Sequence, residues 1–288
     1  MTWADVFCLM AAAPLLLGAG AMAAERRVLE KAFPADPEVK AIHLTVDVSA
    51  AEVDLAVHSG DTILAGRFRY RTSTSGAPEI RYEKSGSSAD IELRSRKVKS
   101  TFNLDSDDQI WDLSLSQKYT WDIALDIGVS EASMDFTDLP LRSLKLDVGV
   151  SECHIRFERP NPETLADLEI DAGVGSLTIT GLGYANFDQL SFDGGTGKYV
   201  LNFEGLKEGR RNATISVGVG QVRIELPKGV PVQIETDDGF LNSVDIRKLD
   251  LEEVDDNLYQ TPDFGKVDAG FKIKLDIGLG KAVITETD

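Results

Sequence analysis

The sequence predicts an all-β fold, a parallel β-helix or β-solenoid with rungs of about 21–24 residues, capped by irregular terminal strands. Three observations predict it. A short phrase recurs: Leu125-Asp126-Ile127-Gly128-Val129-Ser130, Leu146-Asp147-Val148-Gly149-Val150-Ser151, Ile170-Asp171-Ala172-Gly173-Val174-Gly175 and Ile215-Ser216-Val217-Gly218-Val219-Gly220. With a looser copy at Phe192-Asp193-Gly194-Gly195-Thr196-Gly197, the first glycines fall at 128, 149, 173, 195 and 218, steps of 21, 24, 22 and 23. A period of this size, built on β-branched residues and glycine, marks a stacked repeat. Within each copy, apolar and polar residues alternate, which is the period of a half-buried strand.

At the start of the chain, Val6 to Ala24 carries no charge and ends in Ala21-Met22-Ala23, a small-x-small pattern. Residues 1–23 read as a secretory signal peptide. The segment before it, Met1 to Asp5, lacks Lys and Arg, and 19 uncharged residues nearly span a bilayer, so an uncleaved anchor is the alternative. Cys8 has no small-residue box before it, which argues against lipid attachment. One cysteine then remains, Cys153, and a disulfide framework is excluded.

Residues 25–120 hold a degenerate first copy, Leu44-Thr45-Val46-Asp47-Val48-Ser49, then strand-like runs at 63–70, 79–83, 91–94 and 110–115. Arg67, Arg69, Arg71, Arg81, Arg94, Arg96, Lys97 and Lys99 make this part more basic than the rest. It reads as the irregular rungs and cap of one solenoid domain spanning 24–288, since terminal units must close an open sheet edge. A separate binding lobe is the alternative.

The regular part covers 121–240. Leu144, Leu146, Val148 and Val150 alternate with Lys145, Asp147, Gly149 and Ser151; the phase then slips at Ser151-Glu152, and Cys153, Ile155 and Phe157 face inward next. Such a slip is what a corner between two sheets requires. Stacked about 4.8 Å apart, the rungs form columns such as Met134/Ile155/Ile179/Leu201/Ile224. Cys153, beside Ala132 and Leu177, becomes a buried, inert thiol. Residues 241–288 form an excursion with an acidic stretch from Asp250 to Asp256, and 271–284 recover the pattern as a last rung.

The wording of the ladder is familiar. Phe157-Glu158-Arg159-Pro160-Asn161-Pro162, Asp171-Ala172-Gly173-Val174-Gly175, Thr180-Gly181-Leu182-Gly183-Tyr184-Ala185-Asn186-Phe187 and Glu225-Leu226-Pro227 resemble the bacterial toast-rack domain family. That family is related to the extracytoplasmic domain of LiaF-type cell-wall-active antibiotic response proteins. The resemblance covers roughly residues 42–235 and implies a β-solenoid outside the cytoplasm without an assigned enzymatic activity. LiaF-type proteins carry several membrane helices, and this chain shows no candidate after residue 24.

The strongest candidate site is a carboxylate column, Asp126, Asp147, Asp171 and Asp193, with Ser216, Glu235 and Asp276 continuing it. Stacked carboxylates suit Ca²⁺, but the calcium β-roll needs Gly-Gly-x-Gly-x-Asp. Gly194-Gly195-Thr196-Gly197-Lys198-Tyr199 has tyrosine at the final position. Neighbouring charges repel by only about 0.9 kcal/mol per pair in water, so hydrogen bonding to nearby backbone is the preferred reading. The glycine column reads as close backbone approach rather than a ligand groove. His43, His58 and His154 are scattered, and neither a nucleophile elbow nor a phosphate loop occurs. No catalytic, cofactor-binding or metal-binding residue is assigned.

A net charge of −18 argues against nucleic acid as a partner. The expected function is a non-enzymatic exported solenoid, periplasmic or secreted. It presents a surface to an envelope protein or polysaccharide in a stress-response, adhesin-like or scaffold role. The alternatives are a carbohydrate-active enzyme of the parallel β-helix type and a ligand-binding module using the Arg-rich N-terminal part.

Overall fold

Alternating sequences long enough to turn a corner produce long, bent strands, and five of them stack in chain order. They are β8 (Thr120–Asp135), β9 (Leu141–Arg156), β10 (Leu165–Thr180), β11 (Phe187–Asn202) and β12 (Gly209–Leu226), all parallel. The computed structural model describes residues 26–72, 75–96, 109–205, 208–237, 242–247 and 249–287, so residues 1–23, read from the sequence as a signal peptide, lie outside the described residues. Met134, Ile155, Ile179, Leu201 and Ile224 are successive partners across the rungs, as the repeat requires. Cys153 is fully buried between Ala132 and Leu177. The all-β solenoid expected from the sequence is the fold observed: a single hydrogen-bonded sheet of 17 strands.

The looser copy at 192–197 has a packing reason. Tyr199 stands where its neighbours carry Leu177 and Val222, and its ring packs edge-on to Phe192 at 5.2 Å. A Cβ on Gly194 would lie 2.6 Å from that ring. Glycine at 194, in place of the Ala172 and Val217 of adjacent rungs, makes room for the larger side chain.

At the C-terminal end, spatial order departs from chain order. Strand β17 (Ala269–Glu286) pairs with β12 along its whole length. Strands β13 (Val232–Thr236) and β14 (Asn242–Arg247) lie on the far side of β17. The last stretch of the sequence is therefore intercalated one rung inside the end. Antiparallel β16 (Leu258–Gln260) covers β13, and exposed β15 (Glu252–Asp255) covers β16.

The N-terminal end is built the same way. Strands β2 (Ala41–Ala50) and β3 (Glu52–His58) form the rung on β8. The rung outside it comes later in sequence: β6 (Ser88–Arg94) on β2 and β7 (Gln109–Ser116) on β3. Antiparallel β5 (Glu79–Ser85) covers β6, β4 (Thr62–Arg71) covers β7, and β1 (Arg26–Pro34) covers β4. A parallel edge is a template for further strands; antiparallel strands cover both halves of the N-terminal rung and, at the other end, β13, and the outermost of them, β5, β1 and β15, are rich in charge.

The corner differs from the alternation read in the sequence. Val148 is buried, but Val150 is 51% exposed, and inward alternation resumes only at Cys153. The phase slips around Gly149, before the expected Ser151-Glu152 step, because the backbone itself turns there. A Cβ on Gly149 would lie 2.6 Å from the Gly128 carbonyl, and one on Gly173 would lie 2.4 Å from that of Gly149. The glycine column exists for close backbone approach between rungs.

Return loops form the third side of the stack. In the loop before β10, buried Asn161 accepts from the Leu141 N–H at 3.0 Å. Its Nδ2 donates to the carbonyls of Leu141 (2.6 Å) and Ala185 (3.2 Å). Asn186, in the next loop, donates to the Glu163 carbonyl at 2.8 Å and accepts from Arg211. These asparagines tie consecutive loops together where backbone pairing stops.

Candidate functional site

Outward residues of parallel in-register strands form rows about 4.8 Å apart, so the surface is a set of parallel side-chain columns. Asp126, Asp147, Asp171, Asp193 and Ser216 are successive partners, and Asp276 follows Ser216. Asp47 extends the row as the partner of Asp126. Glu235 does not belong to it. Inward Val232 and Ile234 fix the register of β13 against Phe271 and Ile273, which puts Glu235 opposite Lys274, one column away.

Asp147, Asp171 and Asp193 form no hydrogen bond to backbone among the described residues, contrary to the reading from sequence. They sit inside strands whose N–H and C=O groups serve the sheet, so the turn geometry that invites such bonds is missing. Burial raises the Asp171 carboxyl above its ordinary value, and the charges of Asp193 and Asp147 add to that shift, with Lys145 opposing it. Lys145, in the adjoining column, bonds Glu169 at 2.9 Å. No group of three or more His, Cys, Asp and Glu side chains suited to a metal ion occurs among the described residues.

Many outward charges are engaged across rungs. Arg142 pairs with Asp122, Arg156 with Asp135 and Arg159 with Asp138, while Asn202 donates to Glu225 at 3.0 Å. The three histidines stay apart. His43 faces Asp122 at 3.1 Å, and His154 faces Glu152 at 3.6 Å. His58 accepts from the Gly60 N–H, and its basicity is lowered by burial and then by the Lys118 charge. Burial pushes the Cys153 thiol up to about 12.

The N-terminal arginines do not converge on one point. Arg67 reaches Glu30 at 3.7 Å, Arg69 reaches Asp112 at 3.1 Å, and Arg81 and Arg94 both face Glu92. Lys97 and Lys99 lie outside the described residues. The outer face of β3, β7, β4 and β1 does form a cavity of about 570 Å³. Ala32, Ala56, Ala65 and Ser114 line it together with Asp54, Arg67 and Asp112. Burial, and then the Asp112 charge, raises the Asp54 carboxyl.

The feature missed in the sequence is an apolar ridge along the corner. Val150, Val174, Thr196, Val219 and Leu279 are successive partners. The four apolar members are 51%, 52%, 43% and 47% exposed. Glycines on either side leave these side chains standing proud, and that Gly-x-Gly or Gly-x-Ser frame was the available signal. An apolar row of this kind, broken only at Thr196, stands out on a charged surface as a place of contact.

The family model described as the N-terminal domain of toast_rack matches residues 22–180. No curated protein matches the chain. A solved Clostridium sporogenes structure, named for cell adhesion, is 17% identical, with a TM-score of 0.46 over 91% of this chain and 100% of that one. One from Bacteroides fragilis, named as an adhesin, is 10% identical, with a TM-score of 0.36 over 92% and 99%. One from Parabacteroides merdae, also named as an adhesin, is 11% identical, with a TM-score of 0.29 over 91% and 97%.

Proposed function

The chain belongs to the toast-rack family, and from that premise we propose that it is a non-enzymatic surface-presenting protein of the bacterial envelope, exported and acting outside the cytoplasm. The observation that carries this reading is the corner ridge, an exposed row of Val150, Val174, Val219 and Leu279 interrupted only by Thr196 and flanked by small residues. The lateral pairing of outward charges supports it, because those groups brace neighbouring rungs instead of converging on a substrate. Residues 24–288 act as one solenoid, with 1–23 removed on export. Among the described residues no helix is long and apolar enough to cross a membrane.

A photocrosslinker at position 174, on the ridge, should capture an envelope protein or polysaccharide in intact cells, whereas one at Asp167, exposed in β10 before the corner, should not. Turnover of any member of a panel of polyuronates and cell-wall glycans would overturn the reading. The cavity between β3 and β1 favours one second reading, a ligand module at Arg67 and Asp54. Loss of binding to a small-molecule panel in Arg67→Ala, with the ridge intact, would favour it over the first.

A further inference from the structure

We propose that the ladder face after the corner, residues 152–156 of β9 and their partners in β8, β10, β11 and β12, with the corner ridge along its side, is self-complementary and pairs with a second copy of this chain in antiparallel order. This rests on the surface-presenting reading above and names its partner. The argument starts from one column. Glu131, Glu152, Ser176, Lys198, Gln221 and Lys281 are successive outward partners along the stack. Glu52 extends the column at the N-terminal end, since it precedes Val53 as Glu131 precedes the partner of Val53, Ala132. The order of charge is therefore acid, acid, acid, neutral, base, neutral, base, centred on Ser176.

A two-fold axis lying in this face and passing through Ser176 reverses that order. Glu152 then meets Lys198 of the second copy, Glu131 meets its Gln221, and Glu52 meets its Lys281. Each match occurs twice by symmetry. The neighbouring columns carry one acid–acid match, Asp135 against Glu225 at the far edge, where Arg156 and Asn202 already hold the two carboxylates; the nearer columns fit the same axis. Thr178 meets itself, Ser133 meets Arg223, Val174 meets itself and Val150 meets Thr196. Parallel packing about the ridge would instead set Glu131 and Glu152 against Asp126 and Asp147, so charge selects the antiparallel form.

Glu52, Glu131 and Lys198 form no ion pair among the described residues. Glu152 has only His154, at 3.6 Å, and Lys281 has Asp245, at 3.1 Å. Six rung spacings of about 4.8 Å give a face about 29 Å long, and six residues of strand make it about 20 Å wide. That is on the order of 600 Å² per copy, about 1,200 Å² in total, the lower end for specific association. The dimer should be reversible and weakened by salt.

Sedimentation velocity of the purified full chain tests this. A monomer–dimer equilibrium is expected at low ionic strength, shifting toward monomer as salt rises. Lys198→Glu should raise the dimer dissociation constant at least about tenfold, and Glu152→Lys should do the same. Both side chains are exposed, so thermal unfolding should confirm that each variant is folded. The double reversal should restore association to near the native value. A chain that stays monomeric at about 100 µM in low salt, a dimer indifferent to Lys198→Glu, or a double variant without rescue would each overturn the proposal. A monomer that still crosslinks an envelope component from position 174 removes this inference alone. Substrate turnover would overturn the surface reading and this inference together.

Discussion

Replacing Asn161 probes the third side of the stack, where side chains take over from backbone pairing. Asn161 is 6% exposed, and Leu141 and Ala185, whose backbones it bonds, are fully buried. Asn161→Ala orphans at least the Leu141 N–H and the Ala185 carbonyl in a buried loop. An unmade bond of this kind costs about 1–3 kcal/mol, so the expected loss is about 2–6 kcal/mol. Denaturant titration at constant m reads it directly. Asn161→Asp makes the test specific. Its second oxygen would face two carbonyls unless protonated, so the folded state raises its pKa above the unfolded value of about 3.9. Stability is then fully present below about pH 4 and lost as pH rises through the folded pKa. Relative to wild type at each pH, the Asp variant should be nearly normal at pH 3–4 and at least as damaged as the Ala variant at pH 7. An Ala variant within about 1 kcal/mol of wild type would refute the bridging role. An Asp variant without extra pH dependence would refute donation by Nδ2.

Three further outcomes are expected. Cys153 should resist a thiol reagent in the native state and react on unfolding; Cys153→Asp should cost several kcal/mol, whereas the adjacent outward change His154→Asp should cost much less. Asp171→Asn should raise the melting temperature slightly at pH 7 and not at pH 3: a raised carboxyl pKa favours the folded state only while protonated, and that advantage is lost as pH rises through it. The part of the gain that comes from the Asp193 and Asp147 charges should shrink in salt, and the part that comes from burial should not. Chelator should leave the melting temperature unchanged, and a drop of about ten degrees would make the Asp126–Asp193 column a metal site.

Much of the ladder was legible because its signal is local and repeated. Leu177, Cys153 and Ala132 occupy one column because each follows the same glycine at the same distance, and the structure pairs them accordingly. What escaped was set by backbone turning or by distant contacts. Val150 reads as inward by alternation, yet the turn at Gly149 swings it out. Glu235 looks like a member of the carboxylate row, but its register is imposed by Phe271 and Ile273, more than thirty residues on. No periodicity in 232–286 indicates that β17 slides between β12 and β13. Asn161 carried a resemblance to a family in the sequence; only the loop geometry shows what its amide holds.

The stacking order is tested most directly by disulfide trapping across the intercalated rung. In a Cys8→Ser background, Gln221→Cys with Lys281→Cys places two thiols on adjacent strands, Cα atoms about 4.8 Å apart. Gln221→Cys with Ser243→Cys places them two rungs apart, about 9.6 Å and beyond the reach of a disulfide. Mild oxidation of native protein should close the first pair and leave the second as free thiols. Closure of the second pair, with the first left open, would put 232–247 directly on β12 and contradict the intercalated solenoid.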